Sequence, residues 1–356
     1  MSERSVDTVA RPGVQVGPVG VPVRRRAVVA TIATGVLLAT TAVHLLSSGT
    51  VDVPVHRVLA TLVGQGDRIE NLVVLDGRLA RVVSAVVVGF LLGLAGALTQ
   101  SITRNPIASP DILGVTTGAG AVAVLVVTQP WLAAGLGAPM STVLPAAAVL
   151  GALLTTSIIL ALAWRGGFDG LRLILVGLGV NALASAVTAW LLVRADIHSA
   201  TVATRWLAGS VDGIALSQSL TIVPVVGLAV VVGLRLGPAL GALRLGRDVA
   251  AALGLSPGRA ELAALGLAVV ATGAATAIAG PVAFVAFVAP QAALRMFGTA
   301  GPTPLAAGLV GALLVLVADL VAQRMPVELP VGVVTAVVGA PFLLYLLTRH
   351  VRRTSV

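Results

Sequence analysis

Apolar residues in this chain of 356 residues fall into long runs, parted by short polar breaks rich in Arg, Pro and Gly. Ten such runs predict helices at roughly 27–47, 80–99, 114–131, 142–164, 171–193, 216–236, 260–279, 282–298, 304–323 and 332–349. A helix needs roughly 20 apolar residues to cross the hydrocarbon core of a bilayer, and the runs are of that order. The expected fold is an all-α polytopic membrane protein with ten transmembrane helices. Irregular backbone survives at membrane depth only where protein or a wet cavity covers it, which leaves no room for a sizeable soluble domain. Residues 1–23 are polar and Gly/Pro-rich and read as a disordered cytoplasmic arm. Residues 24–350 read as the transmembrane domain, and 351–356 as a cytoplasmic tail. The tightest junction is Gly280-Pro281, where the seventh and eighth runs meet with almost no loop.

Composition agrees with the pattern: 57% of residues are hydrophobic, 10% are charged, and the mean hydropathy is +1.04. There is no cysteine, which excludes disulfides, iron–sulfur clusters and thiolate metal sites. There is no lysine either, and a Walker A loop needs one to reach the β/γ-phosphates, so the chain is no ordinary P-loop ATPase. The net charge of +9 reads as membrane topology rather than nucleic-acid binding. The Arg24-Arg25-Arg26 patch opens an apolar run of span length with no small-residue cleavage site behind it, so it reads as a first crossing with its start in the cytoplasm. Ten crossings return the C-terminus to the same side. Sixteen of the 23 arginines then lie inside; the seven outside are Arg57, Arg68, Arg78, Arg81, Arg194, Arg205 and Arg324. That bias obeys the positive-inside rule, and Trp131, Trp164, Trp190 and Trp206 fall near expected boundaries.

Two breaks carry more detail than a plain connection needs. TRNPIASPDILGVTTGAGA, Thr103 to Ala121, holds Asn105-Pro106 and Ser109-Pro110, each of which biases the preceding residue away from helix. Asp111 is placed to cap or charge-complement the next helix, and Thr116, Thr117, Gly118 and Gly120 permit close packing there. LGRDVAAALGLSPGR, Leu245 to Arg259, reads as a short amphipathic helix with Val249, Leu253 and Leu255 apolar, stopped by Gly254 and followed by a restart at Ser256-Pro257. Asp319 is a carboxylate deep in an expected span, which is either a proton or ion relay or a group satisfied within the bundle, the second being the better reading. His44 and Asn181 read as packing groups, and four scattered histidines make no iron site.

RLARVVSAVVVGFLLGLAGALTQSITRNPIASPDILGVTTGAGA resembles the signature of permease subunits of FecCD-type ABC importers. The residues that match are Arg78, Arg81, Gln100, Arg104, Asn105, Pro106, Ala108, Pro110 and Gly114. AGPVAFVAFVAPQAALRMFG (Ala279 to Gly298) and ADLVAQRMPVELPVGVVTAVVGAPFLLYLL (Ala318 to Leu347) are similar to two further family motifs. The order is the family's from about Arg78 to Arg349, and a long run after Leu171 looks like the ferric-enterobactin-type subunit. Two positions depart from the pattern: Gln291 stands where a His is common, and Ala283 where a Gly is common.

The resemblance implies a type II ABC importer permease in the bacterial cytoplasmic membrane, with both termini cytoplasmic. It implies translocation of ferric siderophore, with vitamin B12 or haem as alternative cargo, by ATP-driven alternating access. Hydrolysis is then expected on two separate ATPase subunits that hold ATP and Mg; this chain itself binds no cofactor or metal. Arg247, Asp248, Val249, Ala252, Leu253, Gly254, Leu255 and Ser256 match the segment that docks on the ATPase. Arg78, Arg81 and, one place away from the usual position, Arg324 are expected to meet carboxylates of an external binding lipoprotein. A second, paralogous permease is expected more than a homodimer, and the pathway is expected along Asn181–Arg194, Thr201–Gly209 and Gly332–Ala340. From the residues alone, an ion-coupled secondary carrier stays the alternative of another class.

Overall fold

The computed structural model describes residues 13–16, 19–22, 24–49, 51–135, 137–164 and 170–354. Residues 1–12 of the expected arm, residues 355–356 of the expected tail, and Arg4, Arg11 and Arg165 from the topological count lie outside the described residues. Gly13–Val16 and Val19–Pro22 pair as antiparallel strands, Gly13 opposite Pro22, where disorder was expected. Valines in both strands supply the β-branched residues that favour such a pair. The last helix, Val331–Thr354, runs on through most of what was expected as a tail.

Among the described residues, seven helical stretches are long and apolar enough to cross a membrane: Arg25–Ser47, Arg68–Thr103, Met140–Ala163, Gly170–Arg194, Leu216–Leu245, Pro257–Ala279 and Pro304–Arg324. Shorter apolar helices, Val115–Thr128, Val285–Phe297 and Val331–Leu346 within the last helix, stand at the other three expected positions. At 1.5 Å per residue a helix of 13 or 14 residues rises only about 20 Å, against roughly 30 Å of hydrocarbon. The first of these is cut short by Pro130, and the second by a break at 280–284 in which Gly280 (φ +70°) and Phe284 (φ +63°) are both left-handed. The pattern located both segments and overstated their length, because an apolar run does not show where its backbone leaves the helix.

Helix 80–103 is the axis of the bundle, with 19 of its 24 residues buried. Helices 257–279, 285–297 and 304–324 pack around it. Gly89, Gly93 and Gly96 form a stripe at helical spacing, against which Gly311, Ala307 and Ala286 lay their backbones. Helices in lipid gain little from hydrophobic exclusion, so such close backbone approach is what holds them. Helix 170–194 is the opposite case: Leu173, Gly177 and Leu191 are its buried residues, while Leu175, Leu178, Leu183, Val187 and Trp190 face outward.

Candidate functional site

The arginines read as exposed docking groups on the outer side are all engaged within the chain. The stretch 71–79 winds as a π-helix, a form associated with functional positions, and sets Asp76 and Arg78 on its last turn. Arg78 donates to the carbonyl of Leu46 at 2.9 Å and to that of Val51, tying the second span to the end of the first. Arg324 Nη2 lies 2.5 Å from His44 Nε2. Arg81 Nε donates to Asp319 at 2.9 and 3.1 Å, and its Nη1 to Asp212 at 2.8 Å. Gln323 Nε2 fills a further acceptor site on Asp319 at 2.8 Å. The Asp319 side chain is fully buried and Arg81 is 17% exposed, so one cation offsets a buried and a rim carboxylate together. Arg78, Arg81, Asp212, Asp319 and Gln323 line a cleft of about 570 Å³ that also takes in Asp76, Gly213 and Glu328. Asp319 is thus satisfied inside the bundle, as its chemistry required. Its partner 238 residues away had no local signal in the sequence.

At the far end of helix 80–103, Arg104 ends it in the left-handed conformation (φ +50°), and Asn105 Oδ1 accepts from the N–H of Ile107 at 3.0 Å, closing the turn. Pro106 follows inside that turn, and Pro110 begins a single 3₁₀ turn, Pro110–Leu113. Asp111 acts differently from a backbone cap: it accepts from the hydroxyls of Ser109 (3.1 Å) and Thr116 (2.7 Å), while Gly114 (φ +72°) caps helix 115–128. The turn is fastened to two other helices. Asn181 Nδ2 donates to the Asp111 carbonyl at 2.9 Å, Asn181 Oδ1 accepts from Thr117 at 2.6 Å, and Thr156 donates to the Leu113 carbonyl at 3.1 Å. Asn181→Ala is expected to cost about 1–3 kcal/mol by leaving these groups unpaired, seen as a lower melting temperature of the purified chain.

The segment 245–259 folds as the pattern predicts. Arg247–Ala252 is a helix, Gly254 (φ +79°) reverses the chain, and Pro257 opens helix 257–279 after Ser256. Ala250 is buried and Leu255 packs on the core, while Val249 and Leu253, one turn apart, are 42% and 64% exposed beside Asp248 and Ala252. Arg247 turns the other way, its Nη1 donating to both oxygens of buried Glu261 at 3.1 and 2.8 Å. Glu261 was not singled out from the sequence, because its place at the second position of the apolar run 260–279 looks like a helix end.

A family model described as the FecCD transport family matches residues 28–349. The chain belongs to the FecCD transport family. Over 313 residues it is 40% identical to the ferric enterobactin transport system permease protein FepG of Escherichia coli (strain K12), covering 86% of this chain and 92% of that one. It is 37% identical over 323 residues to the probable siderophore transport system permease protein YfhA of Bacillus subtilis (strain 168), covering 86% and 91%. Among solved structures it is similar to an inward-facing ABC transporter described as of metal-chelate type, with a TM-score of 0.75, 25% identity, and coverage of 90% of this chain and 99% of that one. It is therefore a multi-pass membrane protein of an iron-chelate ABC permease family, with a transport role. The departure at Gln291 has a local partner in this FecCD chain: Gln291 Nε2 donates to Gln100 Oε1 at 2.7 Å, and Gln100 Nε2 to the Phe287 carbonyl at 3.2 Å, a buried amide pair across two helices.

Proposed function

We propose that the chain is the transmembrane permease subunit of a binding-protein-dependent importer that carries ferric siderophore across the bacterial cytoplasmic membrane. The observation that carries this reading is the 40% identity to the ferric enterobactin permease over nearly its whole length. In this reading the chain crosses ten times with both ends in the cytoplasm, and the exposed face of Val249 and Leu253, with Arg247 to Ser256 around it, docks on one of two ATPases. ATP binding there closes the pair, the coupling helix moves, and the bundle rocks between outward and inward openings. The exposed face of helix 170–194 meets a second, paralogous permease, the heterodimer being preferred for the likeness to the enterobactin subunit. No residue of this chain performs covalent chemistry. An ion-coupled carrier finds little support in Asp319, whose acceptors are taken up by Arg81 and Gln323.

The rim that holds Arg78, Arg81 and Arg324 is the docking surface for the external binding protein. Rim charges act mainly on encounter rate. Arg324→Glu is expected to slow uptake on the order of tenfold at low ionic strength and less at high salt. Arg81→Glu, set against Asp319, is expected instead to lower the amount of folded permease. Equal salt dependence of uptake in wild type and Arg324→Glu would remove Arg324 from the docking surface.

Affinity purification of the tagged chain from native membranes, followed by mass spectrometry, tests the assembly. Co-purification of an ATPase and a second permease supports the heterodimeric importer, and an ATPase alone shifts the reading to a homodimer. Reproducible loss of any ATPase, in a detergent that preserves other ABC complexes, overturns the importer reading in favour of a secondary carrier.

A further inference from the structure

We propose that Glu261 is the positioning residue that joins the ATPase-docking helix 247–252 to the 104–114 turn, so that motion of the first is passed to helix 170–194. The inference rests on the importer reading above. Near the N-terminus of a helix a glutamate is favourable for its charge alone, and in that role it stays at the surface. Glu261 is 3% exposed, and both of its oxygens accept from Arg247, across the Gly254 reversal that separates the two helices. Arg104, at the head of the inner turn, is the second cation within electrostatic reach of the same carboxylate.

From Glu261 the connection continues first by helix packing and then by hydrogen bonds. Helix 257–279 packs along helix 80–103 and touches the 110–113 turn. That turn is bonded to Asn181 through the Asp111 carbonyl, and the Ile112 carbonyl lies against Gly177, where a side chain has no room. Helix 170–194 also packs on helices 115–128 and 140–163, and the turn at Gly177 and Asn181 is one of its hydrogen-bonded attachments. Rigid elements joined by directional bonds move together, and a charge removed from such a joint alters coupling rather than contact area. Two helices that merely packed side by side would not need a buried carboxylate, since apolar packing is the better source of stability.

The test uses the complete transporter, with its ATPases and binding protein, in liposomes, and measures uptake of radioiron-loaded enterobactin per ATP hydrolysed. Glu261→Gln is expected to lower that ratio about 2- to 30-fold while ATPase co-purification and hydrolysis persist, and Glu261→Asp to restore part of it. Glu261→Met fills the same buried site without a charge and is expected to give the same loss, which keeps the test valid should Glu261→Gln fold poorly. Wild-type ratios in both charge-removing variants, with only a lower melting temperature, would make the pair a structural one and overturn the proposal. Loss of ATPase binding in Glu261→Gln would also overturn it, by assigning the pair to docking. A wild-type complex that lacks an ATPase or takes up no iron fails the importer reading itself, a result distinct from either.

Discussion

Replacing Asp319 by Ala is expected to prevent accumulation of stable permease before any question of transport arises. The side chain is fully buried and accepts from Arg81 and Gln323, and Arg81 is itself largely enclosed. Without Asp319 the guanidinium keeps only Asp212 at the rim, 56% exposed, and Gln323 loses its acceptor. Breaking a buried pair by removing one partner costs about 3–5 kcal/mol, a large part of the stability of most domains. Asp319→Asn keeps an acceptor and loses the charge, so a smaller cost of about 1–3 kcal/mol is expected. Replacing both partners together, Arg81→Met with Asp319→Leu, is expected to recover much of the loss, since no lone charge is then buried. The measurements are yield after detergent extraction and the melting temperature of the purified chain. A proton-relay role predicts the reverse order, normal yield with abolished uptake, and that result would sink the structural assignment.

Gly96→Val is the second substitution with a severe expected effect. A Cβ at Gly96 would overlap the carbonyl of Ala286, and the obstacle is backbone, which cannot turn aside as a side chain can. Overpacking costs typically about 1–3 kcal/mol where side chains can adjust, so here a cost at or above the top of that range is expected. Helix 285–297 would be pushed from helix 80–103 at the level where Gln100 and Gln291 pair, and the amide bonds would be lost as well. Gly266→Ala is the control. Nothing lies within 4 Å of a Cβ there, and Gly in a helix interior costs about 1 kcal/mol relative to Ala, so slight stabilisation is expected. Equal melting temperatures for wild type and Gly96→Val would show that the two helices tolerate separation.

Much of the local structure was legible in the chain. Gly254, Ser256 and Pro257 marked the end of one helix and the start of the next, because a left-handed φ and a missing N–H are properties of single residues. Asn105, Pro106 and Pro110 marked the 104–114 turn, the first by bonding its own side chain to the backbone two residues on and the prolines by their missing N–H. The break at Phe284 was not legible: an aromatic residue carries no preference for positive φ, and it holds that conformation with Gly339 lying close against its ring. The short helices after Gly114 and Phe284 looked like full crossings, since apolar composition continues on both sides of the point where the helix starts or stops.

By itself the sequence determined that this is a helical membrane protein, where its apolar segments lie, which way the arginine bias points, and which family its motifs resemble. All of these follow from composition and short-range pattern, which the bilayer and the backbone read directly. Only the tertiary structure decided that Arg81 belongs to Asp319 and Asp212, that Gln291 belongs to Gln100, that Glu261 holds Arg247, and that Gly96 meets Ala286. Whether two side chains on different helices meet depends on the relative depth and rotation of those helices. That is set by the packing of the whole bundle, and no window of sequence contains it.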